Sequence, residues 1–299
     1  MVSFSGALER LGGRASRVKA DQPSQDVAAS PGELHPVPTI AVWGPVGAPG
    51  KSTLAANLAD AVAVSGMRAL LVDADLVSPS LALLLGVSDQ ATGISAACKL
   101  AREARLDADE LERVTVRVDA AGASLWLLPG ISGASRWPEI TPSAIEAILR
   151  VASQRFDVAV FDLASSLEPA LRTEASAIGR NELTRHLVAN SDQVVAVSHA
   201  DALGVQRMLK QLLDVQRLRS GGNLNLVVNR VRDNVLGSNP EKQLSQTFQS
   251  LVKIAPSHFL PDDPSNTDGA LRNGIPVRLF KRHSPYAKAV KALAQLLRV

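Results

Sequence analysis

Thr39-Ile40-Ala41-Val42-Trp43-Gly44-Pro45-Val46-Gly47-Ala48-Pro49-Gly50-Lys51-Ser52-Thr53 runs from an apolar stretch, through a glycine-containing loop, into a segment of helical spacing. Leu54, Leu58 and Val62 follow at intervals of four, so one apolar stripe can lie against a sheet. Strand, loop and helix in this order make a phosphate-binding context. Gly47 and Gly50 permit backbone N–H groups to turn inward, and the start of a helix presents orphan N–H groups and a positive dipole end to the same anion. Ala48 and Pro49 complete the loop. Lys51 is placed to neutralise the β and γ phosphates of a nucleotide, the Ser52 hydroxyl to complete a Mg²⁺ shell, and Thr53 to lie near the α phosphate.

Outward from this stretch, short apolar runs alternate with longer amphipathic segments, the pattern of strand-helix units around a mainly parallel sheet. Runs at 39–43, 69–72, 124–128, 158–161, 193–198 and 224–228, with a weaker one at 257–260, are expected strands. Most lack strict alternation, which suits strands covered on both faces. Helices are expected at 52–65, 80–85, 142–153, 203–218, 240–251 and 285–297. The predicted fold class is α/β: one doubly wound, mainly parallel sheet flanked by helices over residues 37–299. Residues 1–36, rich in Ser, Pro, Gly and Ala, form an expected flexible N-terminal tail. Within it Phe4, Leu8 and Leu11 recur beside Arg10, Arg14 and Arg17, a pattern open to two readings: a frayed tail, or a short basic amphipathic helix for a membrane surface or partner.

Composition narrows the function classes. The chain has 299 residues with 46% hydrophobic and 20% charged side chains, which excludes global disorder and supplies a core. The formal charge of +3 is too small to argue for nucleic-acid binding by itself. A single cysteine, Cys98, excludes an internal disulfide, a four-thiolate zinc site and a cluster held by two of the chain's own cysteines. With no long apolar run and no apolar signal-peptide region, the expected location is the cytoplasm, peripheral to the membrane only through partners or the tail.

The loop departs from G-x-x-x-x-G-K-[ST], because position 45 is Pro. Val46-Gly47-Ala48-Pro49-Gly50-Lys51-Ser52 instead resembles the deviant phosphate loop of the MinD/ParA family, K-G-G-x-G-K-[ST]. Leu70-Leu71-Val72-Asp73-Ala74-Asp75, followed by Pro79-Ser80, is similar to the family's D-x-D strand and P-S turn. The resemblance implies that Asp75 orients the attacking water and the metal shell. Phe156 to Leu163 resembles a Walker B strand, which implies that Asp162 holds Mg²⁺ through water; the Ala164-Ser165-Ser166 loop after it lacks the family's usual switch sequence. Asn229-Arg230 resembles the strand end whose amide reads the adenine edge, and Pro261-Asp262 the family's closing P-x-D loop. Together these similarities span residues 38–298. They imply ATP and Mg²⁺ as cofactors, with Lys51 and Asp75 as catalytic residues, and Ser52, Asp75 and Asp162 at the metal.

The main departure is Val46, where the family carries a lysine that reaches the partner subunit's phosphates. The loop also resembles a divergent branch grouped with septum-site determining and pilus-assembly (CpaE/TadZ-like) ATPases. Hydrolysis is therefore expected to be slow or partner-stimulated, in a spatial regulator of septum placement or of a pilus or secretion apparatus. An ATP-dependent homodimer and a protein partner in that apparatus are the expected assemblies. Two alternatives stand beside it: a non-hydrolysing nucleotide-binding scaffold and a DNA-partitioning ATPase. The latter needs a basic surface, for which Arg278, Lys281, Arg282, His283, Lys288 and Lys291 are candidates, unless they are simply a solvated helix face. A nitrogenase-reductase-like protein is excluded by the lone cysteine, and the lone Tyr286 argues against a tyrosine kinase, which would be expected to carry a C-terminal tyrosine cluster. The family's appended membrane-anchor helix is expected to be absent.

Overall fold

A computed structural model of the chain describes residues 36–87, 93–118, 120–169, 179–232 and 239–297. Apart from Pro36, the expected tail lies outside the described residues. Strands β1 (Thr39–Trp43), β2 (Ala69–Ala74), β3 (Val116–Arg117), β4 (Leu125–Leu128), β5 (Val158–Leu163), β6 (Gln193–His199), β7 (Asn223–Val231) and β8 (His258–Pro261) form one sheet. Its order is β3-β4-β2-β5-β1-β6-β7-β8, parallel throughout except where β3 meets β4.

All seven expected strands are present, and several reach further than their apolar runs. β2 continues through Asp73, β5 through Asp162 and β7 through Asn229 and Arg230, so the polar residues of interest sit inside or directly after the strands. The ladder bonds of a parallel sheet continue to its C-terminal edge whatever the side chain, while the apolar signal stops where the side chains leave the core. β3 was not expected, since two edge residues leave no recognisable run.

The helices are α1 (Lys51–Val64), α2 (Leu81–Leu84), α3 (Gly93–Arg102), α4 (Ala108–Val114), α5 (Pro142–Ala152), α6 (Glu182–Asn190), α7 (Ala202–Leu218), α8 (Pro240–Val252), α9 (Pro264–Asn273), α10 (Val277–Phe280) and α11 (Pro285–Leu297). Successive strand residues point to opposite faces, and β1 shows the result. Ile40 and Val42 pack with Leu54, Leu58 and Val62 of α1 and Val290 and Leu293 of α11, whereas Ala41 and Trp43 join Ile148 of α5, Leu187 of α6 and Met208 of α7 on the other side. Both faces are thus covered by helices, as the doubly wound expectation requires.

Five helices were not legible in the sequence: α3, α4, α6, α9 and α10. The buried face of α3 is made by Gly93, Ile94, Ser95, Ala97, Cys98 and Leu100, an amphipathic stripe that the reading of the sequence passed over. α9 is polar, and is defined instead by Pro264 in its first turn and by Gly274 after its last, at φ 61. Among the described residues no helix is long and apolar enough to cross a membrane.

Candidate nucleotide site

β1 and β6 are neighbours whose following helices, α1 and α7, pack on opposite faces of the sheet. At such a switch point the C-terminal strand edges leave a crevice, the usual ligand position in an open α/β sheet. The loop of residues 44–50 stands there. Gly47 (φ 120), Ala48 (φ 53) and Gly50 (φ 87) all adopt positive φ, which curls the loop tightly, with Pro49 between them contributing a carbonyl but no N–H. Gly50 immediately precedes α1, and no side chain caps that helix. By contrast α5, α7 and α8 are capped by Thr141, Asp201 and Asn239. The first N–H groups of α1 are therefore left for an external anion. A side chain at position 50 would overlap the Asn229 amide, so glycine is required by contact as well as by φ.

Three carboxylates face the loop. Asp162 pairs in register with Val42 of β1 on one side and Asp73 of β2 on the other, so the two aspartates stand side by side on the α1 face. Asp75 follows directly after β2. The Lys51 Nζ donates to Asp75 Oδ2 at 2.7 Å and lies 3.6 Å from Asp162 Oδ1. Burial pulls the lysine pKa down, but Asp162 and Asp75 together outweigh it and hold the ammonium protonated. Burial would likewise raise Asp75, yet the Lys51 charge and hydrogen bond, with backbone donors from Ser78 and Val77, keep its carboxyl below the usual range.

Asp162 differs from its neighbours. It is wholly buried, its ion-pair partner among the described residues is Lys51 at 3.6 Å, neither oxygen makes a close hydrogen bond, and burial pushes its pKa up against the opposing pull of Lys51 and the Ser52 hydroxyl. A buried carboxylate held only by one distant ammonium is costly unless a further cation or water completes it. This observation fits Mg²⁺, with the Ser52 hydroxyl at the start of α1 and Asp75 beside it. Mg²⁺ takes phosphate oxygens and water for most of its shell, so few protein ligands are needed.

Asp73, the first carboxylate of the D-x-D pair, has a supporting part that sequence reasoning left unassigned. Its Oδ2 accepts from the Ser80 and Leu81 N–H groups at 2.9 Å each, which folds the segment after β2 back under Asp75. Burial, reinforced by Asp162, raises its pKa against those two donors. Trp43, read from sequence as a packing residue, is fully buried and also donates from Nε1 to the Ser165 carbonyl, tying β1 to the loop after β5.

The remaining expected nucleotide residues meet in one cleft of about 150 Å³, lined by Gly50, Thr53, Asn229, Arg230, Pro261 and Asp262 among others. Asn229 Nδ2 donates to the Pro49 carbonyl at 2.8 Å, and its Oδ1 accepts from the Arg230 N–H. The amide thus braces the phosphate loop, with one N–H and one lone pair left over for the cleft. Arg230 has φ 58, at the point where the β7–β8 ladder is irregular. Asp262 is paired with Arg232 at 3.4 Å.

Of the basic stretch near the C-terminus, Lys281, Arg282, His283, Lys288 and Lys291 are exposed, and only the reading of Arg278 changes. Arg278 is not a free surface cation: it forms two 2.9 Å hydrogen bonds to buried Asp60 of α1 and a third, at 3.0 Å, to the Ala120 carbonyl. Spacing along the chain could not reveal a partner so distant in sequence.

Residues 40–277 match the CobQ/CobB/MinD/ParA nucleotide binding domain. The chain belongs to this MinD/ParA family of nucleotide-binding P-loop proteins. It is 30% identical to the antiactivator FleN of Pseudomonas aeruginosa over 275 residues, covering 88% of this chain and 87% of FleN. The ParA family ATPase of Chlorobium tepidum superposes with a TM-score of 0.70 at 18% identity, over 86% of this chain and 98% of that one. The septum site-determining protein MinD of Pyrococcus horikoshii, solved with Mg-ADP, superposes at 0.66 and 21% identity, over 87% and 96%. In this MinD/ParA chain Lys51, Asp75 and Asp162 stand together at the uncapped start of α1.

Proposed function

We propose that this MinD/ParA-family chain binds ATP with Mg²⁺ and acts as a nucleotide-dependent spatial regulator, of septum placement or of a pilus or secretion apparatus. The observation that carries the reading is Lys51, held between Asp75 at 2.7 Å and the wholly buried Asp162 at 3.6 Å at the open end of α1. Gly47, Ala48, Pro49 and Gly50 would cradle the phosphates, Thr53 would approach the α phosphate, and Asn229, Arg230, Pro261 and Asp262 would enclose the nucleoside. Ser52 would ligate Mg²⁺ directly, with Asp162 and Asp75 acting through water. The ion supplies charge neutralisation on the phosphate oxygens. Asp75, ionised and anchored by two backbone N–H groups, would accept a hydrogen bond from the attacking water.

Kinship with an antiactivator and with a septum-site protein supports a regulatory role at a defined cellular place, with a protein of that apparatus as partner and two copies pairing on ATP. Val46, 64% exposed and neutral, favours slow turnover, or in the limit a scaffold that binds without hydrolysing. Isothermal titration with ATP and Mg²⁺, alongside steady-state phosphate release, tests the reading. Binding is expected in the wild type, and Asp75→Ala should retain it while losing turnover. A wild-type protein that does not bind ATP would overturn the proposal.

A further inference from the structure

The site as built is short of positive charge. Lys51 is the one cation in contact with Asp75 and Asp162 among the described residues, and Asp73 stands beside them. A nucleoside triphosphate would add several negative charges to this group. Arg180, nearby, is committed: it donates from Nε and Nη2 to the Leu76 carbonyl. Position 46 contributes only an exposed valine.

Arg207 is in a different situation. It belongs to α7, which Asp201 caps and which Val205, Met208 and Leu212 lock onto the sheet. Its guanidinium lies directly over the α-carbon of Gly47. A methyl group built there would overlap Nη1 and come within 3.1 Å of Cζ and 3.6 Å of Cδ. Glycine is favoured at position 47 by its own φ of 120, and the close approach of the guanidinium uses the space its missing side chain leaves. The side chain is exposed and makes no hydrogen bond or ion pair with any described residue, so its five N–H donors are uncommitted. Gly47 is not among the residues lining the nucleoside cleft, whereas Gly50 and Thr53 are, so Arg207 covers the end of the loop away from that cleft.

We propose that Arg207 is the second phosphate-binding cation of this site, supplied by α7 of the same chain, and that it distinguishes triphosphate from diphosphate nucleotides. The inference rests on the nucleotide reading above. A guanidinium pairs with two phosphate oxygens at once, in a fork that an ammonium cannot reproduce. Placed over the loop, it would engage the outermost phosphate, which a diphosphate lacks.

The test uses the full chain with Mg²⁺, titrated calorimetrically with AMP-PNP and separately with ADP. Arg207→Ala should weaken AMP-PNP binding by about tenfold or more, the equivalent of about 1.4 kcal/mol, and change ADP binding by less than about threefold. Because Arg207 is exposed and without partners, its melting temperature should stay that of the wild type. Arg207→Lys should recover part of the lost affinity. If Lys51→Ala abolishes binding while Arg207→Ala binds AMP-PNP like the wild type, the nucleotide reading stands and the Arg207 inference falls. Equal losses for both nucleotides would overturn the triphosphate discrimination. A wild type that binds neither would end both readings.

Discussion

Replacing Lys51 with alanine tests the centre of the site in two independent ways. In the nucleotide-free protein, Lys51 Nζ stands 2.7 Å from Asp75 and 3.6 Å from Asp162, with side chains 11%, 8% and 0% exposed respectively. Removing one member of such a buried group leaves uncompensated charge, typically at a cost of about 3–5 kcal/mol. Proton uptake limits the loss, because burial already raises the Asp162 pKa and removing Lys51 raises it further. A net destabilisation of about 2–3 kcal/mol follows, and for a domain of this size it lowers the melting temperature by about 4–12 °C. The pH dependence has a definite sign. A carboxylate whose folded pKa exceeds its unfolded one opposes folding fully above the folded value, and less as pH falls and it takes a proton. The gap between wild type and Lys51→Ala should therefore be wider at pH 7.5 than at pH 5. Affinity for ATP should fall by more than about tenfold, about 1.4 kcal/mol. Urea denaturation at the two pH values and isothermal titration read the two effects separately. Unchanged ATP affinity would refute the phosphate-loop assignment, and unchanged stability at pH 7.5 would show that the lysine does not hold the aspartates in solution.

Arg278→Ala should destabilise the fold by about 2–4 kcal/mol, since it strands buried Asp60 and frees the Ala120 carbonyl; a urea midpoint equal to wild type would mean that the pair is effectively solvated. Arg278→Lys should recover only part, because one ammonium cannot make both carboxylate bonds. Asn229→Ala leaves the Pro49 carbonyl without its 2.8 Å donor, so thermal melting should report a loss of about 1–2 kcal/mol and titration a weaker nucleotide complex. Unaltered affinity in that variant would argue against the amide bracing the loop. Burial pushes the Cys98 thiol up to about 12, so the native protein should resist a disulfide reagent at pH 8 and react once unfolded in urea; rapid labelling of the native form would show that α3 opens readily.

Local sequence determined the layout of this protein because its determinants are local. Each of the seven longer strands is a run of apolar side chains wanted by both helix layers, and the phosphate loop is a contiguous set of residues whose φ angles and helix start need no distant partner. Gly50, Lys51 and Ser52 could be named from their neighbours, and Asp75, Asp162 and Asn229 from the family resemblance of their strands, whose C-terminal edges are where ligand-facing side chains fall in an open parallel sheet. The tertiary structure decided what those residues touch. Asp73 is recognisable as half of a D-x-D pair, but its two N–H donors exist only once the chain after β2 turns back. Asn229 reads as a purine-facing amide, and the fold adds a bond to Pro49 across the crevice. Arg278 looks like part of a basic surface until α1 brings Asp60 beneath it. Arg207 carries no motif: it is one exposed arginine on an amphipathic helix, and only the switch between β1 and β6 sets it over Gly47. Charge pairing and close approach depend on separation in space, and the order of residues along the chain records that only for near neighbours.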